Sequence, residues 1–147
     1  GANPDDPVML VGHSQGGIVA ADAANHFTAS KEYNVTHVVT AGSPVGRIPV
    51  PDGVQVLSLE NQHDLVPHLD ATANPDQPNR TTVTFDSQHG TVGDNHGIGS
   101  AYQPAATALD SSTHPSVVNF KNTAQPFLAA PGGGTQVTTH QFEVSRS

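Results

Sequence analysis

Ser14 lies in a short motif whose residue types and spacing suit nucleophilic chemistry. The motif G-H-S-Q-G, residues 12–16, follows an apolar run at residues 8–11 and precedes a segment rich in small residues. A serine on a sharp strand-to-helix turn adopts a strained backbone conformation that exposes its hydroxyl above the sheet edge. We expect Gly12 and Gly16 to keep side chains out of this turn. The amide of Gln15, at the start of the helix, can then stabilise a developing oxyanion.

Such a nucleophile needs a base to take its proton and a carboxylate to orient that base. Asp64 comes just after the predicted third strand, residues 54–59. The carboxyl ends of parallel strands form the edge at which α/β active sites lie, so Asp64 is the predicted acid. The alternative acids are Glu60, which is still within the strand end, and Asp70, which lies deeper in the following loop.

Two histidines follow the predicted fourth strand, residues 81–85, in glycine-rich sequence. His96 stands in G-D-N-H-G, residues 93–97, before a predicted helix that contains Tyr102, and His89 comes earlier in the same loop. Either imidazole can serve as the general base. His13 cannot readily turn toward the neighbouring serine within the turn, so we expect it to pack or to orient other groups.

The motif at residues 12–16 resembles the nucleophile elbow of lipases and esterases of the α/β-hydrolase fold. The segments A-G-S-P, residues 41–44, and D-L-V-P, residues 64–67, resemble the corresponding loops of class 3 lipases. The loop at 93–97 resembles the late histidine loop of the same lipases and of actinobacterial-type hydrolases. The resemblance implies the chain order Ser, Asp, His, and it favours Ser14, Asp64 and His96 as the triad, with His89 as the alternative base.

The resemblance covers residues 8–109, the C-terminal half of an α/β-hydrolase domain, so we expect the chain to be truncated. The upstream half would supply further strands and the second oxyanion donor. Loss of one such donor costs on the order of 100- to 1000-fold in turnover, so we expect this chain alone to hydrolyse slowly. The strand at 8–11 would become an apolar edge, covered by a second copy or by an N-terminal fragment.

The order of elements predicts a three-layer α/β fold with a mostly parallel sheet. Strands are predicted at residues 8–11, 35–41, 54–59 and 81–85, and helices at 18–28, 98–109 and 116–125. The run at 8–11, apolar throughout, suits a strand covered on both faces. Residues 87–100 are predicted as a loop. We expect one hydrolase unit at 1–109 and a partly irregular extension at 110–147, in which a flexible joint at 131–134 precedes a segment, 136–144, that allows a terminal strand.

The composition excludes several classes of partner. The 147 residues carry five Lys and Arg against thirteen Asp and Glu, a net charge of −8. This argues against nucleic-acid and anionic-membrane partners, both of which need a basic surface. The chain contains no cysteine, which rules out disulfides and thiolate chemistry and leaves the compartment open. No apolar run is long enough to span a bilayer.

A metal-dependent hydrolase is the competing catalytic hypothesis. His63, Asp64 and His68 are close in sequence, and this hypothesis brings His89 and His96 to them as further ligands. No H-E-x-x-H spacing is present to fix such ligands on one helix, so we expect no metal and no cofactor. A structural calcium ion on the Asp-rich loops is a further alternative.

The sequence therefore predicts a serine carboxylic-ester hydrolase that acts on a small-molecule or lipid ester through an acyl-enzyme. Transfer of the acyl group to an alcohol is a close variant of the same chemistry. The alternative from another class is a truncated hydrolase module that serves in assembly.

Overall fold

Four parallel strands form a single sheet in the order β1-β2-β3-β4. The structure, a computed structural model, describes residues 3–128, 132–134 and 136–142. The strands are β1 (Pro7–His13), β2 (Asn34–Ala41), β3 (Gln55–Asn61) and β4 (Arg80–Phe85). The predicted parallel α/β sheet is thereby confirmed.

The register of the sheet brings the carboxyl ends of the strands to one edge. His13 pairs with Ala41, Ala41 with Leu59, and Asn61 with Phe85. The loops that follow the four strands therefore begin side by side, although they are far apart in sequence. Because the predicted nucleophile, acid and base all lie in such loops, the topology alone places them at a common edge.

Helix α1 (Gln15–Ser30) covers one face of the sheet. Its buried positions carry small side chains, which let the helix approach the strands closely: Gly17, Ala20, Ala21 and Ala24. The helix ends at Ser30, and Lys31 caps it with a left-handed φ of 57°. It begins three residues before the predicted start at residue 18, because the strand passes into the helix directly at Ser14.

The other face carries a second layer of helices, which completes the three-layer arrangement. A π-helical turn (Ile98–Tyr102) leads into α3 (Gln103–Leu109), and α4 (Pro115–Thr123) follows. Pro104 lies in the first turn of α3, where a missing N–H costs nothing. Tyr102 and Phe120 pack with Leu57 and Leu59 of the sheet in one core cluster. The predicted boundary at residue 109 stays a prediction.

Two predicted local structures are wrong. Residues 87–100 are not a continuous loop, because α2 (Val92–His96) lies within them. Thr91 caps this short helix by accepting a hydrogen bond from the Asp94 N–H at 3.1 Å. Residues 136–142 form no strand, and Phe142 is 85% exposed, so the tail has no neighbouring strand to pair with in the part that the structure describes. Residues 143–144 and residue 131 of the predicted joint lie outside the described residues.

Strand β1 is less covered than its apolar sequence predicts. It is an edge strand of the described sheet, and Val11 is 70% exposed while Val8, Met9 and Leu10 are half-buried. The expectation of cover on both faces therefore fails at Val11. No helix within the described residues has the length and apolar character that crossing a bilayer requires.

His37 joins the sheet to the C-terminal helices and should make stability depend on pH. Its imidazole hydrogen-bonds the hydroxyls of Thr36 and Thr123, both at 3.0 Å, and packs edge-on against Phe120 and Phe127. Burial lowers the pKa of His37 below its usual 6.5. The unfolded chain then binds a proton more readily than the folded protein, so stability is full above pH 6.5 and is lost as pH falls below it.

Urea unfolding between pH 7.5 and pH 5 measures this dependence. We expect the free energy of unfolding of the wild-type protein to fall more steeply with decreasing pH than that of His37→Gln, which cannot be protonated. His26→Gln, at an exposed position of α1, is the matched control and should keep the wild-type slope. Identical slopes for wild type and His37→Gln would contradict the assignment.

Candidate active site

Ser14 lies on a strained turn between β1 and α1. Its φ of 57° and ψ of −128° are rare for a residue with a side chain. The turn is fixed by a hydrogen bond from the Ser14 N–H to the Ala41 carbonyl at 2.9 Å, and by one from the Gly17 N–H to the Ser14 carbonyl at 3.1 Å. The amide of Gln15, the first helical residue, has no acceptor within the helix. These features match the backbone geometry of a nucleophile elbow.

Two glycines make the elbow sterically feasible. A Cβ at Gly12 would lie 2.1 Å from the Gly16 carbonyl oxygen, and a Cβ at Gly17 would lie 2.1 Å from the Ser43 Oγ. The predicted role of Gly16 is not supported, because a Cβ there meets nothing within 4 Å among the described residues. The close approach of α1 to β2 depends on Gly17 instead.

Paired alanine substitutions test this difference. Gly12→Ala should lower the free energy of unfolding by about 1–3 kcal/mol, because its new methyl group meets backbone that cannot yield easily. Gly16→Ala should raise it by roughly 0.5–1 kcal/mol, because alanine favours the helix more than glycine does. Thermal or urea unfolding measures both. Equal effects would contradict the steric account.

Asp64 and His96 are in direct contact. The Nδ1 of His96 lies 2.7 Å from the Oδ2 of Asp64, whose side chain is fully buried, and the imidazole is 20% exposed. The carboxylate also accepts hydrogen bonds from the Val66 N–H at 2.9 Å and from the Tyr102 hydroxyl at 2.5 Å. Three donors thus offset the cost of burying the carboxylate. The fixed acceptor selects the His96 tautomer that carries its proton on Nδ1 and leaves Nε2 free to accept one.

Helix α2, which carries His96, is docked on the end of β3. The Asn61 side-chain amide is fully buried and donates to the carbonyls of Ser87 at 2.8 Å and Asn95 at 3.0 Å. Its oxygen accepts from the N–H groups of Ser87 at 3.1 Å and His63 at 3.3 Å. One side chain therefore holds both the residues just after β4 and the end of α2.

His13 packs against His96 rather than turning toward Ser14. The two ring centroids lie 4.6 Å apart, and the His13 Nε2 donates to the His96 carbonyl at 2.7 Å. Since His13 immediately precedes Ser14, this contact anchors the His96 loop beside the elbow. Within the described residues, no hydrogen bond joins the Ser14 hydroxyl to His96 and the His96 Nε2 has no partner.

The alternative residues have other partners. The His89 Nε2 lies 2.9 Å from the Ser87 Oγ, and its backbone N–H donates to the Asn95 side chain. Burial raises the pKa of Glu60, which accepts from the Asn74 amide at 2.7 Å. Asp70 accepts from the Gly46 N–H at 2.9 Å. In the described part of the chain, neither Glu60 nor Asp70 contacts His96.

The residues of the metal hypothesis are not gathered around one point. His63 lies 2.9 Å from Asp86, whereas Asp64 binds His96. His68 is exposed in a 3₁₀ turn (Val66–His68). Among residues 3–128, 132–134 and 136–142, no group of three or more His, Asp or Glu side chains could hold a metal ion.

Three residues of the site belong to no recognisable catalytic motif. Asn61 and Tyr102 make contacts that depend on the fold, and the sequence places them only in a loop and in a helix. Gly42, in A-G-S-P, has a φ of +58°, and a Cβ there would lie 2.9 Å from both the Asp64 Oδ2 and the Tyr102 hydroxyl oxygen. Glycine at this position lets the Asp64 carboxylate and the Tyr102 hydroxyl approach each other.

The parallel sheet with a strained serine after β1, and with an Asp–His pair from the loops after β3 and β4, places the protein in the α/β-hydrolase superfamily. Residues 1–125 match the family described as a PGAP1-like alpha/beta domain. The chain belongs to that family. No curated protein and no solved structure matches the chain. The match confirms the α/β-hydrolase resemblance at the level of the superfamily, and it does not single out class 3 lipases or actinobacterial-type hydrolases.

Proposed function

We propose that this chain is a serine carboxylic-ester hydrolase with Ser14 as nucleophile, His96 as general base and Asp64 as the orienting acid. The observation that carries the proposal is the 2.7 Å contact between His96 and buried Asp64, beside the hydrogen bond by which His13 ties the His96 backbone to the elbow. The superfamily and the motif likeness to lipases and esterases support hydrolysis of an ester. The fold alone does not determine the substrate, so the proposal does not specify the acyl and alcohol groups of the ester.

The proposed reaction has two halves that share one acyl-enzyme. The Ser14 Oγ attacks the ester carbonyl while its proton passes to the His96 Nε2, and the Gln15 amide donates to the oxyanion. The C–O bond to the alcohol then breaks, and the alcohol leaves with the proton from His96. In the second half, water attacks the acyl carbon while its proton passes to His96. The bond from that carbon to the Ser14 Oγ then breaks as His96 returns the proton to the Oγ, which releases the carboxylic acid and the free serine.

Trapping of the acyl-enzyme tests this function. The protein is mixed with p-nitrophenyl acetate, quenched in acid and analysed as the intact chain by mass spectrometry. We expect a single added acetyl group on the wild-type protein and none on Ser14→Ala. An acetyl group that persists on Ser14→Ala, or acetylation that a metal chelator abolishes, would contradict the proposal.

An assembly module is the second candidate, and the exposed apolar edge of β1 favours it. Val11 is 70% exposed on an edge strand, and unpaired strands of this kind are templates for pairing with another chain. A second copy or a separate fragment that supplies a strand would cover this edge. Light scattering that finds a monomer at high concentration would count against a second copy.

A further inference from the structure

Tyr102 shares one oxygen of the acid with the base. Its hydroxyl donates to the Asp64 Oδ2 at 2.5 Å, and the His96 Nδ1 lies 2.7 Å from the same atom. The Tyr102 oxygen in turn accepts from the Asn61 N–H at 3.3 Å. The side chain is 1% exposed, so water does not replace any of these bonds. Two donors thus compete for the charge on a single carboxylate oxygen.

We propose that Tyr102 is a positioning residue of the Asp64–His96 pair, which aims the Asp64 Oδ2 at His96 and reduces the charge that this oxygen offers to the imidazole. The inference rests on the proposed function, because activity is one of its readouts. Tyr102 has no contact with substrate in this proposal, and it acts only through the Asp64 carboxylate.

The ring of Tyr102 is held so that its hydroxyl has one orientation. Phe85 packs edge-on at 5.3 Å between ring centroids, and His13 and His96 lie at 5.7 Å and 6.5 Å. Gly42 leaves the space that the hydroxyl occupies, since a Cβ there would lie 2.9 Å from it. The hydroxyl therefore cannot swing away from Asp64 without repacking the core.

Tyr102 stays a donor at every working pH. Burial raises the pKa of its phenol far above the usual value, and the hydrogen bond to Asp64 raises it further. The titratable groups that face this cluster are Asp64, His96, His13 and, at longer range, Glu60. Glu60 binds Asn74 instead of Tyr102, so removal of the phenol hydroxyl acts on the Asp64–His96 pair first.

Tyr102→Phe removes the hydroxyl and keeps the ring. The negative charge on the Asp64 Oδ2 then interacts with His96 without a competing donor, so the protonated imidazole becomes more stable. We expect the acidic limb of the kcat/KM profile to move to higher pH, and kcat to fall on the order of 10- to 100-fold with little change in KM, since a hydrogen bond to a charged group is lost. Tyr33→Phe, at a partly exposed position outside the site, is the matched control and should keep the wild-type profile.

A second variant moves the profile in the opposite direction. Tyr33 and Tyr102 are the two tyrosines of the chain, so 3-fluorotyrosine incorporated into Tyr33→Phe alters Tyr102 alone. Fluorine makes the phenol a stronger donor, which withdraws charge from Asp64. We expect the acidic limb to move to lower pH. A merely structural role predicts no such pair of opposite shifts.

Proton NMR gives a readout that does not require activity. The downfield Nδ1 proton of His96, identified by its loss in His96→Ala, reports the bond to Asp64. It should move downfield in Tyr102→Phe and upfield in the fluorotyrosine protein. Unchanged resonances in both would overturn the inference. Absence of Ser14-dependent hydrolysis in the wild-type protein would overturn the proposed function instead, and the resonances would still decide the role of Tyr102.

Discussion

Replacement of Ser14 by alanine is expected to reduce ester hydrolysis by about 10⁴-fold or more, to the level of the background reaction. The reason is the loss of the attacking oxygen, without which the Asp64–His96 pair has no proton to take. Alanine keeps the Cβ, so the strained backbone at residue 14 is unchanged. Hydrolysis of p-nitrophenyl esters followed by absorbance measures the effect.

The matched control for this variant is Ser30→Ala. Ser30 is exposed at the last position of α1, at the far end of the helix that begins beside Ser14. We expect wild-type rates and an unchanged melting temperature for this control. If Ser14→Ala hydrolysed esters at the same rate as Ser30→Ala, Ser14 would be excluded as the nucleophile.

Loss of the His96 imidazole should have an effect of the same order. Because His96 is the base in both halves of the proposed reaction, His96→Ala is expected to lower kcat by about 10⁴-fold or more. The contact with Asp64 disappears, and one acceptor direction of a buried carboxylate is left unfilled. Steady-state kinetics at several pH values measures the loss.

His89→Ala separates the two candidate bases. His89 lies in the same loop, but its imidazole contacts Ser87 and its backbone N–H, which the substitution retains, makes the bond to Asn95. We expect this variant to keep most of its activity. If His89→Ala were inactive and His96→Ala active, the assignment of the base would be reversed.

The individual strands and the elbow could be predicted because each of them is local in sequence. Alternating and continuous apolar runs mark the four strands, and G-H-S-Q-G between a strand and small residues marks the turn at Ser14. Asp64 and His96 were predicted from their places after strands and from their likeness to lipase loops. Parallel topology then brings these loops together without any further information.

The rest of the site depends on contacts between residues distant in sequence. The bond from Tyr102 to Asp64 joins a helical turn to a loop 38 positions away. The need for glycine at residue 17 instead of 16 depends on the position of Ser43 beneath the helix. The exposure of Val11 depends on which strand neighbours β1, which an apolar run cannot specify. No periodicity or motif carries such information.

The most direct test of the account is to identify the residue that reacts with a fluorophosphonate probe. The protein is labelled, digested and sequenced by mass spectrometry, with His96→Ala labelled in parallel. We expect the phosphonyl group on Ser14 alone in the wild-type protein, and greatly slowed labelling in the variant. A probe that reacts at another residue, or that leaves Ser14 unmodified in folded protein, would contradict the claim that this serine is an activated nucleophile.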